Sequence, residues 1–189
     1  PGEPAFAEFD APRLPENMGS VPSVEDIAGA IGLIPSEIGF ENHRPTCYSA
    51  GLPYTYVPVR SLDAIGQARP VFGRWERAFG KYGAAYLYCR ETMQKTSQFH
   101  ARMFDPDHGI IEDPATGSAA AAFAAVVRQF DEPPPGEHRV LIEQGLDEPT
   151  QLALAAWLRL RKPGAAPIFA MTRSSAMLDL AACGPGETI

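Results

Sequence analysis

The chain has 189 residues, 45% hydrophobic and 21% charged, enough to bury a core without disulfide or metal staples and too apolar for wholesale disorder. A formal net charge of −7 with no basic run excludes a general nucleic-acid or anionic-membrane binder. The longest apolar run, Ala119 to Val127, is about half of what a bilayer crossing needs, so no transmembrane helix and no membrane partner are expected. Cys47, Cys89 and Cys183 are widely spaced and include no CxxC pair, which speaks for reduced structural thiols and a cytoplasmic setting. The chain opens with Pro1 rather than Met and is read as a piece of a longer protein.

In chain order, residues 1–22 are proline-rich (Pro1, Pro4, Pro12, Pro15, Pro22) and read as an irregular or edge segment. Ser23 is a helix N-cap, followed by Glu25 and Asp26 in the first turn, and Gly32 ends that helix. Thr46 to Val59 is rich in aromatic and β-branched residues and is broken at Gly51 and Pro53, which predicts two short strands or one bent one. Ser61 to Ile65 is a short helical turn, and Gly83 to Arg90 a strand. Gln98 to Phe104 alternates, with Phe99, Ala101 and Met103 on one side and Gln98, His100 and Arg102 on the other. Ser118 to Phe130 predicts a helix without a charge before Arg128, which must be surrounded by protein. Three prolines after Asp131 stop it, and His138 to Gln144 is a further strand. Gln151 to Leu160 fits a strand or a short helix. Short strands, antiparallel by connection length, around one buried helix make the class α+β: a curved, mostly antiparallel sheet or barrel wrapped on a helix.

Chemical specificity is concentrated in Arg102 to Ala119. A strand ends near Phe104, and Thr116-Gly117-Ser118 opens directly into the buried helix. The first N–H groups of a helix have no internal partners and carry the positive end of its dipole, so such a start accepts a carboxylate or phosphate. Gly117 leaves room for close approach, and the Thr116 and Ser118 hydroxyls can cap the helix or donate to an anion. Asp113, just outside, can orient a substrate amine or hydroxyl or take part in proton transfer. The plainer reading is that Asp113, Thr116 and Ser118 only cap a core helix.

Glu112-Asp113-Pro114-Ala115-Thr116-Gly117-Ser118-Ala119, preceded by Arg102-Met103-Phe104 and Gly109-Ile110, resembles the signature of the PhzF-like (phenazine-biosynthesis isomerase) family. Weaker matches are Ser49-Ala50-Gly51-Leu52-Pro53, Val57-Pro58-Val59, Ser61-Leu62-Asp63-Ala64-Ile65 and Ile142-Glu143-Gln144-Gly145, so that the resemblance spans about residues 20 to 150. It implies the diaminopimelate epimerase fold, two similar halves each rolled around a central helix, with the site between them. Residues 1–44 would then be the tail of an N-terminal half plus a connecting helix, and residues 45–189 the C-terminal half. The resemblance further implies a cofactor-independent isomerase or epimerase acting on a small carboxylate-bearing metabolite by acid/base proton transfer. It places catalytic roles on Asp113 and Ser118 and substrate contacts on Thr116, Gly117 and Ala119. It does not imply phenazine synthesis in particular.

Three departures from the family pattern stand out. The N-terminal acidic proton-shuttling residue has no counterpart in this sequence. Ala119 occupies the place where amino-acid epimerases of this fold carry a cysteine, which disfavours a two-thiol mechanism. After Gly145 the tail departs from the expected closing turn and strand, so residues 146–189 match poorly. An alternative function is therefore a non-catalytic small-anion binding or regulatory protein without the acid/base half. Half of a two-part protein would expose an interface, which predicts a longer chain or a homodimer.

Other residues have bland readings. Asp105, Asp107, His108 and Glu112 form an acidic turn with no fixed ligand geometry, and no metal site is assigned there. His100 reads as a solvated or hydrogen-bonded histidine. Tyr48, Tyr54, Tyr56, Tyr86 and Tyr88 could line a substrate pocket but at strand spacing are packing residues, and Cys89 is core.

Overall fold

The computed structural model describes residues 7–11, 13–81, 83–145, 152–160 and 168–172. Pro1, Pro4, Pro12, the segment 146–151 and Cys183 lie outside the described residues. In chain order the elements are β1 (Ala7–Asp10), β2 (Glu16–Asn17), α1 (Val24–Ile31), β3 (Thr46–Ser49), β4 (Pro53–Pro58), α2 (Leu62–Gln67) and α3 (Phe72–Phe79). They continue with β5 (Ala85–Cys89), β6 (Phe99–Asp105), β7 (Ile110–Asp113), α4 (Gly117–Phe130), β8 (Gly136–Gln144), β9 (Leu152–Leu160) and β10 (Ile168–Thr172).

Local chemistry sets several of these bounds. Ser23 caps α1 by accepting from the Asp26 N–H, and Gly32 closes it in the left-handed conformation at φ 71°. Ser61 caps α2 in the same way through the Ala64 N–H. Gly51, at φ 139°, turns β3 back into β4, so the predicted pair of strands is a hairpin. The segment 152–160, compatible with strand or helix in sequence, is a strand. It pairs along its whole length with β8.

All ten strands join one sheet in the order β1-β10-β9-β8-β6-β5-β4-β3-β2, with β7 hairpinned onto β6. Pairing is antiparallel except between β4 and β5 and between β6 and β8. Those two parallel pairs were not anticipated from connection length. A parallel pair needs a long crossover, and each one has it. The β4–β5 crossover carries α2 and α3; the β6–β8 crossover carries β7 and α4.

The two crossovers cover opposite faces of the sheet. On one face, Tyr54, Tyr56, Tyr86, Tyr88, Phe99 and Met103 pack with the alanines and Phe123 of α4. On the other, Val57, Leu87, Cys89 and Phe104 pack with Ile27 and Ile31 of α1, Ile65 of α2 and Trp75 of α3. Every residue of β5 and β6 is therefore buried. The expected polar face of β6 is corrected by this: His100 and Arg102 point away from α4 but not into water. His100 Nδ1 lies 2.9 Å from Glu143 Oε1, with both side chains fully buried. Arg102 donates to both oxygens of Glu112, at 2.8 and 2.7 Å, and to the carbonyls of Ile65 and Ala68 at the end of α2. The arginine thereby ties β7 and α2 to β6.

Helix α4 is buried as its chargeless sequence demands, with Ala119 to Ala122, Phe123, Val126 and Val127 all in the core. It lies against β3 and β4 from one flank of the sheet and β9 and β10 from the other, so the sheet curves around it. Its far end is held by Asn42 Nδ2, which donates to Phe130 O at 2.8 Å, and by Asp131, which accepts from Arg90 and from His43 Nε2. Among the described residues no helix is long and apolar enough to cross a membrane.

Two outcomes follow from this core. Ala122→Asp would place an unpaired charge against the tyrosine face, and denaturant unfolding should show a loss of about 3–5 kcal/mol or no folded protein at all. Burial alone would raise the Glu143 carboxyl, but donation from His100 and the Met93 and Gln94 N–H groups outweighs it and holds the group below its ordinary value. A depressed folded-state value contributes stability that is present above the unfolded value, about 4.3, and is lost as the pH falls further. Chemical denaturation between pH 6 and pH 3 should show this loss in the wild type and a shallower one in Glu143→Gln.

Candidate active site at the start of helix α4

The β6–β7 hairpin turns at Gly109, which is left-handed at φ 79°. Strand β7 then delivers Asp113 to the mouth of α4. The loop between them is held by the Asp113 carboxylate, which accepts from the Ala115 N–H at 3.4 Å, and from below by Gln144, at the end of β8. Its Nε2 donates to Asp113 O at 2.7 Å and to Thr116 Oγ1 at 2.9 Å, and its Oε1 accepts from the Thr116 N–H at 3.2 Å. Gln144 is fully buried and thus uses both ends of its amide on this loop.

Thr116 is the N-cap residue but makes no side-chain cap bond. Its hydroxyl instead donates to Asp113 Oδ2 at 2.8 Å. The first helical hydrogen bond runs from Ala120 N to Thr116 O, so the N–H groups of Gly117, Ser118 and Ala119 have no helix carbonyl to meet. No acidic residue sits in the first turn, and the carboxylate beside the dipole's positive end is that of Asp113, held just outside the helix. Ser118 is exposed, while Asp113 and Gly117 are half-buried.

Two tyrosines of β4 complete the rim. Tyr56 donates to Ala119 O at 2.7 Å, and Tyr54 Oη lies 2.7 Å from Ser118 Oγ. Burial raises the Tyr54 hydroxyl above the usual phenol range, with the Ser118 bond opposing and Asp113 and Asp105 reinforcing that rise. Tyr86, in register with Tyr56 on the neighbouring strand, is raised further by burial, with Tyr54 and Asp113 adding to it. The Tyr86 hydroxyl is buried without a hydrogen-bond partner. The phenols therefore stay protonated in neutral solution.

Of the five residues expected at the site, Asp113, Gly117 and Ser118 reach the opening. Thr116 and Ala119 turn inward. The Thr116 hydroxyl is consumed by Asp113 and Gln144, and the Ala119 side chain is fully buried, which leaves only its N–H for a ligand. The bare-cap reading fails for Thr116 and Ser118, since neither side chain caps the helix. Asp105, Asp107, His108 and Glu112 do not converge: His108 bonds to Asp105 at 2.8 Å and Glu112 faces Arg102. Among the described residues no group of three or more potential ligands could hold a metal. Cys89 donates to Glu91 O, and burial, with Glu91 and Glu143, pushes its thiol up to about 12, so it is an inert core thiol.

The family model for phenazine biosynthesis-like proteins (PhzC-PhzF) matches residues 2–162. The chain belongs to the phenazine biosynthesis-like family. The match reaches past residue 150 at one end and before residue 20 at the other, further than the motifs alone indicated. The matched residues take in β9, which pairs along β8, and β10, beyond them, adds a further strand; the sequence from Leu146 onward did not reveal this pair.

An uncharacterized isomerase of Mesorhizobium japonicum is 46% identical over 148 residues, covering 76% of this chain and 49% of that protein. An uncharacterized isomerase of Bacillus subtilis is 28% identical over 123 residues, covering 63% and 41%. The chain thus spans about half the length of the curated relatives it matches. Among solved structures, a PhzF-family phenazine biosynthesis protein of Bacillus anthracis superposes with a TM-score of 0.74 at 21% identity, over 87% of this chain and 56% of that one. A predicted epimerase of Pseudomonas aeruginosa gives 0.62 at 25%, over 89% and 57%. These neighbours share the α+β fold with its mostly antiparallel sheet, as the resemblance implied.

Sequence reasoning missed the role of Gln144, and it weighed Tyr54 and Tyr86 as pocket residues but read them as packing. Gln144 stood inside the Glu143-Gln144-Gly145 match, but a glutamine at a strand end gives no sign of where its amide goes. Replacing it should show its role. Gln144→Leu leaves the Thr116 N–H and the Asp113 carbonyl unpaired, so urea unfolding should report a loss of about 1–3 kcal/mol, with faster hydrogen exchange at Thr116.

Proposed function

We propose that this chain carries the anion-binding half of an isomerase of the epimerase type, one that moves a proton on a small carboxylate-bearing metabolite without a cofactor. The single observation that carries the reading is the open start of α4. Three N–H groups and the exposed Ser118 hydroxyl stand together there, with the Asp113 carboxylate fixed one short loop away. The family membership and the relatives named as isomerases support the reaction class.

The chemistry follows from charge. A substrate carboxylate is drawn to the N–H groups and the dipole of the helix. Asp113 repels that carboxylate and attracts an amine, a hydroxyl or an acidic C–H placed one or two bonds away. In that position it orients the substrate and exchanges a proton with it, while the anion-binding helix start stabilises the negative charge that develops when a proton leaves carbon. The second acid/base group is placed outside residues 45–145, because among the described residues of that span Asp113 is the carboxylate held at the helix start.

Titration of glutarate, followed by amide shifts, should give saturable changes at Gly117, Ser118 and Ala119. Gly117 is not among the left-handed glycines, so Gly117→Val tests approach to the helix start rather than backbone strain, and it should abolish the shifts. Ser118→Ala should weaken binding by about 1.5–3 kcal/mol, the worth of one charge-assisted hydrogen bond. Asp113→Asn should bind glutarate at least as well and lose the incorporation of solvent deuterium into a substrate C–H. Equal glutarate binding by the wild type and Gly117→Val would reduce the loop to a structural turn.

A further inference from the structure

Ser118 sits in the first turn of α4 with its side chain exposed, and the helix itself does not dictate where the hydroxyl proton points. A residue of β4 does. Tyr54 and Tyr56 alternate on that strand, face α4 together, and meet consecutive residues of its first turn. Tyr56 holds the backbone of Ala119 through its carbonyl; Tyr54 meets the side chain of Ser118 at 2.7 Å.

The direction of the second bond follows from acidity. A phenol is a far stronger acid than an aliphatic alcohol and so the better donor, while the alcohol oxygen is the better acceptor. Tyr54 is 4% exposed, and burial together with Asp113 and Asp105 keeps its proton in place. Once the phenol proton lies on Ser118 Oγ, the serine's own proton is turned away from the tyrosine.

We propose that Tyr54 is the positioning residue of the site: by donating to Ser118 Oγ it makes the serine a committed donor to the bound carboxylate, rather than a rotor free to accept or donate. The identity of the ligand rests on the function proposed above; the direction of the Tyr54–Ser118 bond does not. The consequence is selectivity. Ser118 favours a ligand atom that can only accept, a carboxylate or similar oxyanion, over an amide or alcohol of the same shape.

Two measurements on the 189-residue chain test this. In Ser118→Cys, peptide-resolved alkylation against pH gives the pKa of the introduced thiol. Donation from Tyr54 should hold it about one unit below its value in Ser118→Cys/Tyr54→Phe, because a donor stabilises the thiolate. In the glutarate titration, Tyr54→Phe should weaken binding about three- to tenfold, and Tyr54→Phe/Ser118→Ala should bind no worse than Ser118→Ala alone, since the tyrosine acts only through the serine. Tyr54→Phe keeps the ring, and thermal unfolding of each variant reads any packing loss separately. Glutarate binding with no thiol shift, or additive losses in the double variant, overturns the role of Tyr54 alone. A thiol shift without glutarate binding overturns the carboxylate reading, and with it the ligand assigned here, while the tyrosine–serine bond stands.

Discussion

A helix with nine consecutive apolar residues, Ala119 to Val127, has to be enclosed, and most of the architecture can be traced to how α4 is enclosed. The alanines along it permit close approach, and the space they leave is filled by long aromatic side chains from β4, β5 and β6. Tyrosine solves two problems at once there. Its ring covers the apolar helix, and its hydroxyl finds a partner near the helix ends: Ala119 O and Ser118 at the start, Gln129 near the finish, and His43 beside Asp131. The same enclosure that hides the body of α4 therefore leaves its first turn open and organised.

That arrangement explains why the loop at 113–118 is not an ordinary cap. An N-cap threonine usually satisfies one of the first N–H groups itself. Here the Thr116 hydroxyl is drawn down to Asp113 and Gln144, and the N–H groups above it stay available. The helix forgoes a stabilising bond at its start and depends on burial along its length to hold it. A local departure from the rule that favours stability is what sets this segment apart from the well-capped starts of α1 and α2.

Much of this was legible in the residues. Ser23, Gly32, Ser61 and the Gly51–Pro53 break each mark their element by local chemistry, and the chargeless run marks α4. The motif Asp113 to Ala119 pointed to the family, and to the loop proposed as the site. What stayed hidden was set by partners distant in the chain. Helix α3 buries only Trp75 and Ala78 among eight residues, a stripe too narrow to stand out. The two parallel pairs depend on where the crossovers pack, not on the strands themselves. Arg102, which belongs to the family signature, proved to be a clamp on Glu112 and α2 rather than a ligand contact, because its strand is covered on both faces.

The sheet order also dictates a sequence of events during synthesis. Among the described residues β1 pairs with β10, so residues 7–10 wait for a partner made much later in the chain. Until residues 168–172 emerge, β9 presents an unpaired edge, and that exposes the growing chain to edge-to-edge association. The β4–β5 and β6–β8 crossovers also join distant segments, and topologies with such long-range pairing close slowly. The closing of this sheet therefore waits on the segment that carries β10, and the edge of β9 is what the growing chain has to protect until then.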